Sequence, residues 1–224
     1  MRVLDLFSGI GGFSLGLERT GGFRTVAFCE IDPKANWVLK EHWPHVPRYA
    51  DITRLSADAG ACDVITGGFP CQPYSTASAG RRKGAEDDRA LWPEMRRLIS
   101  EAKPRWVIGE NVAGIDAMDL DRVVSDLEAL SYEVIALVIP ACAVGLDHRR
   151  DRFWIIGHSD QNSEPRRAVD EEASGLRYSG PRVAGVGDQD GIRAWMGLLG
   201  NAVVPQIPEM IGRAILEAEG RTCA

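Results

Sequence analysis

The 224-residue sequence is poor in several things, and each shortage excludes a class of protein. It contains no apolar run of about 18 residues, so no membrane-spanning helix is expected. Its opening, Met1-Arg2-Val3-Leu4-Asp5, places a charge too early for the apolar stretch of a signal peptide. Five cysteines and four histidines form neither a C-x-x-C nor an H-x-x-x-H word, which argues against a zinc or dithiol site. Reduced thiols in a cytoplasmic protein are the resulting expectation. Positive charge is also scarce. Lys and Arg number 26 against 32 Asp and Glu, a net charge of −6, which by itself excludes a nucleic-acid partner held by bulk charge. What remains is 45% hydrophobic and 26% charged, ordinary for a single globular domain.

Short apolar runs alternate with helical patterns. Val3–Phe7, Thr25–Cys29, Val64–Thr66, Trp106–Ile108, Tyr132–Ile139 and Arg152–Ile156 read as strands. Helices are predicted from Phe13 to Thr20, from Pro33 behind the N-cap Asp32 toward His42, from Leu120 to Leu130 and from Pro205 to Glu219. Such alternation implies an α/β fold with a mostly parallel sheet and helices on both faces. Ligands of such sheets bind beyond the carboxyl ends of the strands. Asp5, Glu30, Asp51, the Gly67–Cys71 turn and Glu110 all fall there. The interval from His158 to Met196 breaks the pattern, being polar and aperiodic, and reads as a loop-rich appendage.

Five words carry chemistry. Asp5-Leu6-Phe7-Ser8-Gly9-Ile10-Gly11-Gly12 takes a strand through a Gly-rich turn into a helix, whose free N–H groups and close backbone approach suit a ligand. It is not G-x-G-x-x-G, so a nicotinamide oxidoreductase is disfavoured. Glu30, ending the second strand, is placed to hold a ribose hydroxyl pair. In Gly67-Gly68-Phe69-Pro70-Cys71-Gln72 a thiol is fixed in a strand-end turn, where its thiolate could act as nucleophile. Cys29, Cys62, Cys142 and Cys223 are expected to be inert and buried. Glu110-Asn111-Val112 offers a strand-end acid, and Arg150 and Arg152 share one face of an extended segment. Asn201, in Gly200-Asn201-Ala202, either caps a helix or reaches a ligand.

In this order the words DLFSGIGGF, CEID, ADIT, GGFPCQPYS, ENV, HRRDRFWIIG and GNAVVP resemble the cytosine carbon-5 DNA methyltransferase family, with the ending most like its phage-associated members. The resemblance implies a Rossmann-like S-adenosylmethionine-dependent methyltransferase fold and methyl transfer to carbon 5 of a flipped cytosine in double-stranded DNA. It implies Cys71 as nucleophile at carbon 6, Glu110 at ring nitrogen 3, Arg152 at the carbonyl oxygen and Arg150 organising the thiol side. S-adenosylmethionine, leaving as S-adenosylhomocysteine, would meet Phe7, Gly9, Gly11, Gly12, Phe13, Glu30, Ile31, Asp51, Ile52, Gly68, Pro70, Leu91 and Asn201. Gln72, Ser75, Arg81, Arg82, Lys83 and Arg89 would contact DNA. No metal is implied. A monomer in a bacterial or phage-infected cytoplasm, with or without a cognate restriction nuclease, fits the same picture.

The resemblance also divides the chain into a catalytic core (1–157), a shortened target-recognition region (158–196) and a returning C-terminal helix (197–224). His148 stands where the family has Gln. The short middle region predicts a short or relaxed target site. Two other readings are a tRNA cytosine methyltransferase, against which the Pro70-Cys71-Gln72 word speaks, and a non-catalytic binding protein, against which intact Cys71, Glu110 and Arg152 speak. Charge segregation reconciles the acidic total with DNA. Residues 72–106 hold 8 Lys and Arg against 5 Asp and Glu, whereas residues 110–135 hold 7 Asp and Glu against 1 Arg. A basic strip near the cleft and an acidic helix away from it are expected.

Overall fold

The computed structural model describes residues 1–70, 91–113, 117–160, 175–180 and 198–221. Its main sheet comprises β1 (Arg2–Leu6), β2 (Arg24–Cys29), β3 (Arg48–Tyr49), β5 (Val64–Gly67), β6 (Trp106–Val112), β7 (Glu133–Pro140) and β8 (Asp151–His158). A two-stranded sheet pairs β4 (Leu55–Ala57) antiparallel with β9 (Leu176–Tyr178). The helices are α1 (Gly12–Glu18), α2 (Pro33–His42), α3 (Trp92–Ala102), α4 (Ala117–Glu128) and α5 (Gln206–Ala218). The seven strands lie in the order β3-β2-β1-β5-β6-β8-β7. β3, β2, β1, β5 and β6 pair in parallel, and β8 runs antiparallel to both of its neighbours. The mostly parallel sheet read from the sequence is therefore present.

Side-chain alternation along the strands feeds two cores. Leu4, Leu6, Ile65, Val107 and Ile155 pack toward Met95, Leu98 and Ile99 of α3 and Val123 and Leu127 of α4. Val3, Val64, Ile108 and Trp154 pack toward Phe13 and Leu17 of α1 and Ile207, Ile211 and Ile215 of α5. The contact of α1 with α5 is close because glycines face it. A Cβ on Gly16 would overlap the carbonyl oxygen of Pro205, and one on Gly12 that of Val203. The segment after the middle region thus closes the core built by the first helix.

Besides the short strands β3 and β4, two elements depart from the sequence reading. α3 is absent from it, although Trp92, Met95, Leu98, Ile99 and Ala102 form a buried stripe at helical spacing. The second is β9, inside the 158–196 interval. It docks on β4, with Tyr178 against Tyr49 (ring centroids 5.0 Å apart) and Arg177 paired with Asp58. That part of the interval belongs structurally to the core.

Candidate active site

Strand register assembles the site. Leu6 is level with Cys29 and with Gly67, and Gly67 with Gly109. The next residue on each strand is Phe7, Glu30, Gly68 or Glu110, and all four line one cavity of about 650 Å³ at the carboxyl ends. That volume suits a ligand of nucleoside-cofactor size. The order reversal between β1 and β5 opens the crevice there.

On the β1–β2 side, β1 leaves its strand through Phe7 (φ 51°) and Gly9 (φ 54°), turning the backbone into the cleft. The N–H of Gly9 donates to Glu30 Oε2 at 2.7 Å, and the N–H of Asp32 to Oε1 at 2.7 Å. Burial pushes the Glu30 carboxyl above its ordinary range, and these N–H groups oppose the shift. Asp32 then caps α2 by accepting from Lys34 N–H at 2.7 Å. Below lies Asp5, fully buried, accepting from Ser14 Oγ at 2.8 Å and Thr66 Oγ1 at 2.7 Å. Burial raises its carboxyl to about 7 against those two hydroxyl bonds. Asp51 accepts from Thr53 Oγ1 at 2.7 Å and Thr53 N–H at 2.9 Å, bonds that lower its pKa. It thereby starts the 3₁₀ turn Ile52–Arg54.

On the β6–β8 side, Glu110 Oε1 meets Arg152 Nε at 2.9 Å, a diagonal pair across antiparallel strands. Burial raises the Glu110 carboxyl, with Arg152 and then Arg150 opposing. Asn111 donates to the carbonyl of Phe69 at 3.1 Å, and the Phe69 ring packs on Trp92 at 5.1 Å between centroids. The turn that leads to position 71 is therefore held by β6 and α3. Arg150 has a positive φ of 37° and sends its guanidinium to the carbonyls of Gly200 and Ala202, 2.7 Å each. This contact fixes Asn201 as the far wall of the cavity.

Of the sequence-named residues, Phe7, Gly9, Glu30, Ile31, Asp51, Ile52, Gly68, Pro70, Leu91, Glu110, Arg152 and Asn201 line the cavity together. Phe13 does not. It is 1% exposed, and its ring meets Trp154 edge-on at 5.6 Å, so the aromatic facing the cleft is Phe7. Gly11 packs on Trp43 and Gly12 on Val203. Arg150 acts on the Asn201 segment, where the sequence reading gave it the thiol side. Cys71, Gln72, Ser75, Arg81, Arg82, Lys83 and Arg89 lie outside the described residues. Cys29 lines the cavity, but burial pushes its thiol up to about 12, which leaves it inert. Cys62 is likewise buried, Cys223 lies outside the described residues, and Cys142 is exposed, contrary to expectation. Asn111 was within a named word but was given no role; only the folded register shows its hold on the Phe69 turn. Four cations of the expected basic strip, Arg81, Arg82, Lys83 and Arg89, lie outside the described residues. Arg96, Arg97 and Arg105 are occupied by Asp126, by Glu94 and Glu101, and by Glu219. The acidic helix α4 packs on β7 and α3.

The fold is an α/β sheet with a crevice at its strand-order reversal, walled by a backbone-held carboxylate on one side and a half-buried acid–guanidinium pair on the other. The model of the C-5 cytosine-specific DNA methylase family matches residues 1–180, and the chain belongs to that family. It is 37% identical over 166 residues to the Type II methyltransferase M.HgiBI of Herpetosiphon aurantiacus, covering 70% of this chain and 37% of that one. It is 33% identical over 170 residues to M.DsaV of Dactylococcopsis salina, covering 73% and 47%. The chain thus spans less than half the length of these relatives. Among solved structures it is similar to the Dnmt2 methyltransferase of S. pombe (TM-score 0.59, 25% identity, 71% of this chain and 51% of that one). It is also similar to a methyltransferase encoded within an E. coli prophage (TM-score 0.60, 30% identity, 72% and 47%).

Proposed function

We propose that this chain carries the catalytic core for methyl transfer from S-adenosylmethionine to carbon 5 of cytosine in double-stranded DNA. The supporting observation is the shared register, which sets the Glu30 cradle and the Glu110–Arg152 pair in one cavity. The cofactor fits this chemistry. Glu30 uses one N–H bond per oxygen, leaving lone pairs for two ribose hydroxyls. Ile31, 78% exposed beside it, offers uncovered apolar surface for an adenine face. Bound there, the cofactor would supply an electrophilic methyl group.

The protein's part follows from its residues. Cys71 Sγ would bond to carbon 6, driving the ring electrons to carbon 5 for attack on the methyl. Glu110, whose burial favours the protonated form, would donate to ring nitrogen 3 and stabilise that charge shift. Arg152 would hold the base oxygen. Loss of the carbon-5 proton would then expel Sγ and restore the ring. Reaching carbon 5 requires the base to leave the duplex stack.

The test is tritium transfer from labelled cofactor to unmethylated duplex DNA, with tRNA as a parallel substrate. Transfer to DNA that Cys71→Ser abolishes while cofactor binding persists is expected; transfer to tRNA alone would overturn the reading. Target choice is part of the same proposal. The docking of β9 on the core takes that strand out of the 158–196 interval proposed to read bases, which supports a short or relaxed site. Bisulfite sequencing of the methylated product checks this, and a strict six-pair site would contradict it.

A further inference from the structure

The adenosine end of the cavity is walled by Asp51 and Ile52, which stand outside the seven-stranded sheet. Their 3₁₀ turn is gripped from two directions. From one, β9 follows β4, and Ser179 N–H donates to the carbonyl of Arg54 at 3.1 Å. From the other comes Arg97 of α3. Its Nη2 donates to the carbonyls of Ile52 and Leu55, both at 2.9 Å. Its remaining nitrogens bond Glu94 Oε2 at 2.9 Å and Glu101 Oε1 at 2.8 Å. The second oxygen of Glu101 accepts from Ala57 N–H at 3.0 Å. A planar guanidinium can serve two carbonyls and two carboxylates at once, which an ammonium cannot. The Ile52 carbonyl already closes the turn by accepting from Leu55 N–H, so Arg97 adds a charged donor to the second lone pair of that oxygen and ties the turn to α3.

We propose that Arg97 is a positioning residue for the cofactor, fixing through the Ile52 and Leu55 carbonyls the turn that presents Asp51 and Ile52 to the adenosine. This rests on the S-adenosylmethionine reading above. The same helix starts next to Leu91, another cavity residue, and places Trp92 against Phe69. α3 therefore sets two walls of the cavity from one rigid body, and Arg97 is its link to the adenosine wall.

The experiment measures cofactor affinity by calorimetry and the unliganded thermal midpoint for the wild-type chain, Arg97→Lys and Glu94→Gln. Arg97→Lys keeps a charge near both carboxylates but loses the fork to the carbonyls. It is expected to weaken S-adenosylmethionine binding roughly tenfold with a small change of midpoint. Glu94→Gln breaks an ion pair of the same guanidinium and leaves the carbonyl bonds in place. It is expected to lower the midpoint at least as much while changing affinity less than about twofold. Unchanged affinity in Arg97→Lys, or losses of affinity that track the midpoint in both variants, would overturn the assignment. A wild-type chain that binds no cofactor would instead overturn the reading it rests on.

Discussion

Glu30 and Glu110 stand on opposite sides of the β1–β5 reversal, each one residue past the same rung of the sheet. Burial raises both carboxyls. The compensation differs. Glu30 is held by two backbone N–H groups from its own turn and the Gly-rich turn. Glu110 is held by the Arg152 side chain, whose charge is the main opposing influence. Backbone donors cannot swing away, so the Glu30 side is preorganised for a fixed ligand. A carboxyl–guanidinium pair can exchange partners, so under the proposed function the Glu110 side would release part of its pair to a base and to developing charge. The comparison predicts a separable division of labour: affinity on one side, turnover on the other.

The strongest test is Glu110→Gln, expected to lower kcat by roughly a thousandfold while cofactor affinity stays within about twofold. Single-turnover transfer and calorimetry measure the two. Next comes Glu30→Gln, whose amide keeps one acceptor oxygen and turns its NH₂ group against the other N–H donor. Cofactor affinity is expected to fall roughly thirtyfold, with kcat at saturation little changed. If both variants moved the same parameter, the division would fail. A third effect, on stability and not on the reaction, concerns Asp5, which lies near Glu30 and relies on neutral hydroxyls. Its folded pKa is raised to about 7, above the unfolded value, so its stabilisation is complete below about pH 4 and is lost as pH rises through about 7. Relative to Asp5→Asn, wild-type stability is expected to fall by about 1 kcal/mol per pH unit across that window. Urea unfolding from pH 4.5 to 8 measures it, and a flat difference would show that Asp5 stays ionised.

The strand-end words placed Glu30, Gly68 and Glu110 correctly from sequence because parallel βα units put such residues at one edge whatever their distance along the chain. Asp32 and Pro33 marked the start of α2, since capping is a local signal. Other features depend on distant packing. Neither the partners of Arg97 nor the pairing of three-residue β9 with β4 has a signature within its own stretch. Phe13 and Phe7 are indistinguishable as aromatics near a Gly-rich turn. The positive φ at Phe7 and the seat of Phe13 beside Trp154 separate them. Arg150 shares a strand face with Arg152 on paper, but its own positive φ turns it toward Gly200. α3 carries a local signature, a stripe of five apolar positions at helical spacing.

The packing of α5 on α1 has a consequence for engineering. Strand β8 ends at His158, β9 is tied to β4, and Arg150 and the α1 glycines hold the chain again from Gly200 onward. The core therefore defines two spans with anchored ends, between β8 and β9 and between β9 and Leu198. Each doubling of the length of a loop closed between fixed ends costs only about 0.6 kcal/mol of entropy. Under the proposed function, a module inserted at either interval would leave the β4–β9 pair and the α1–α5 contact in place.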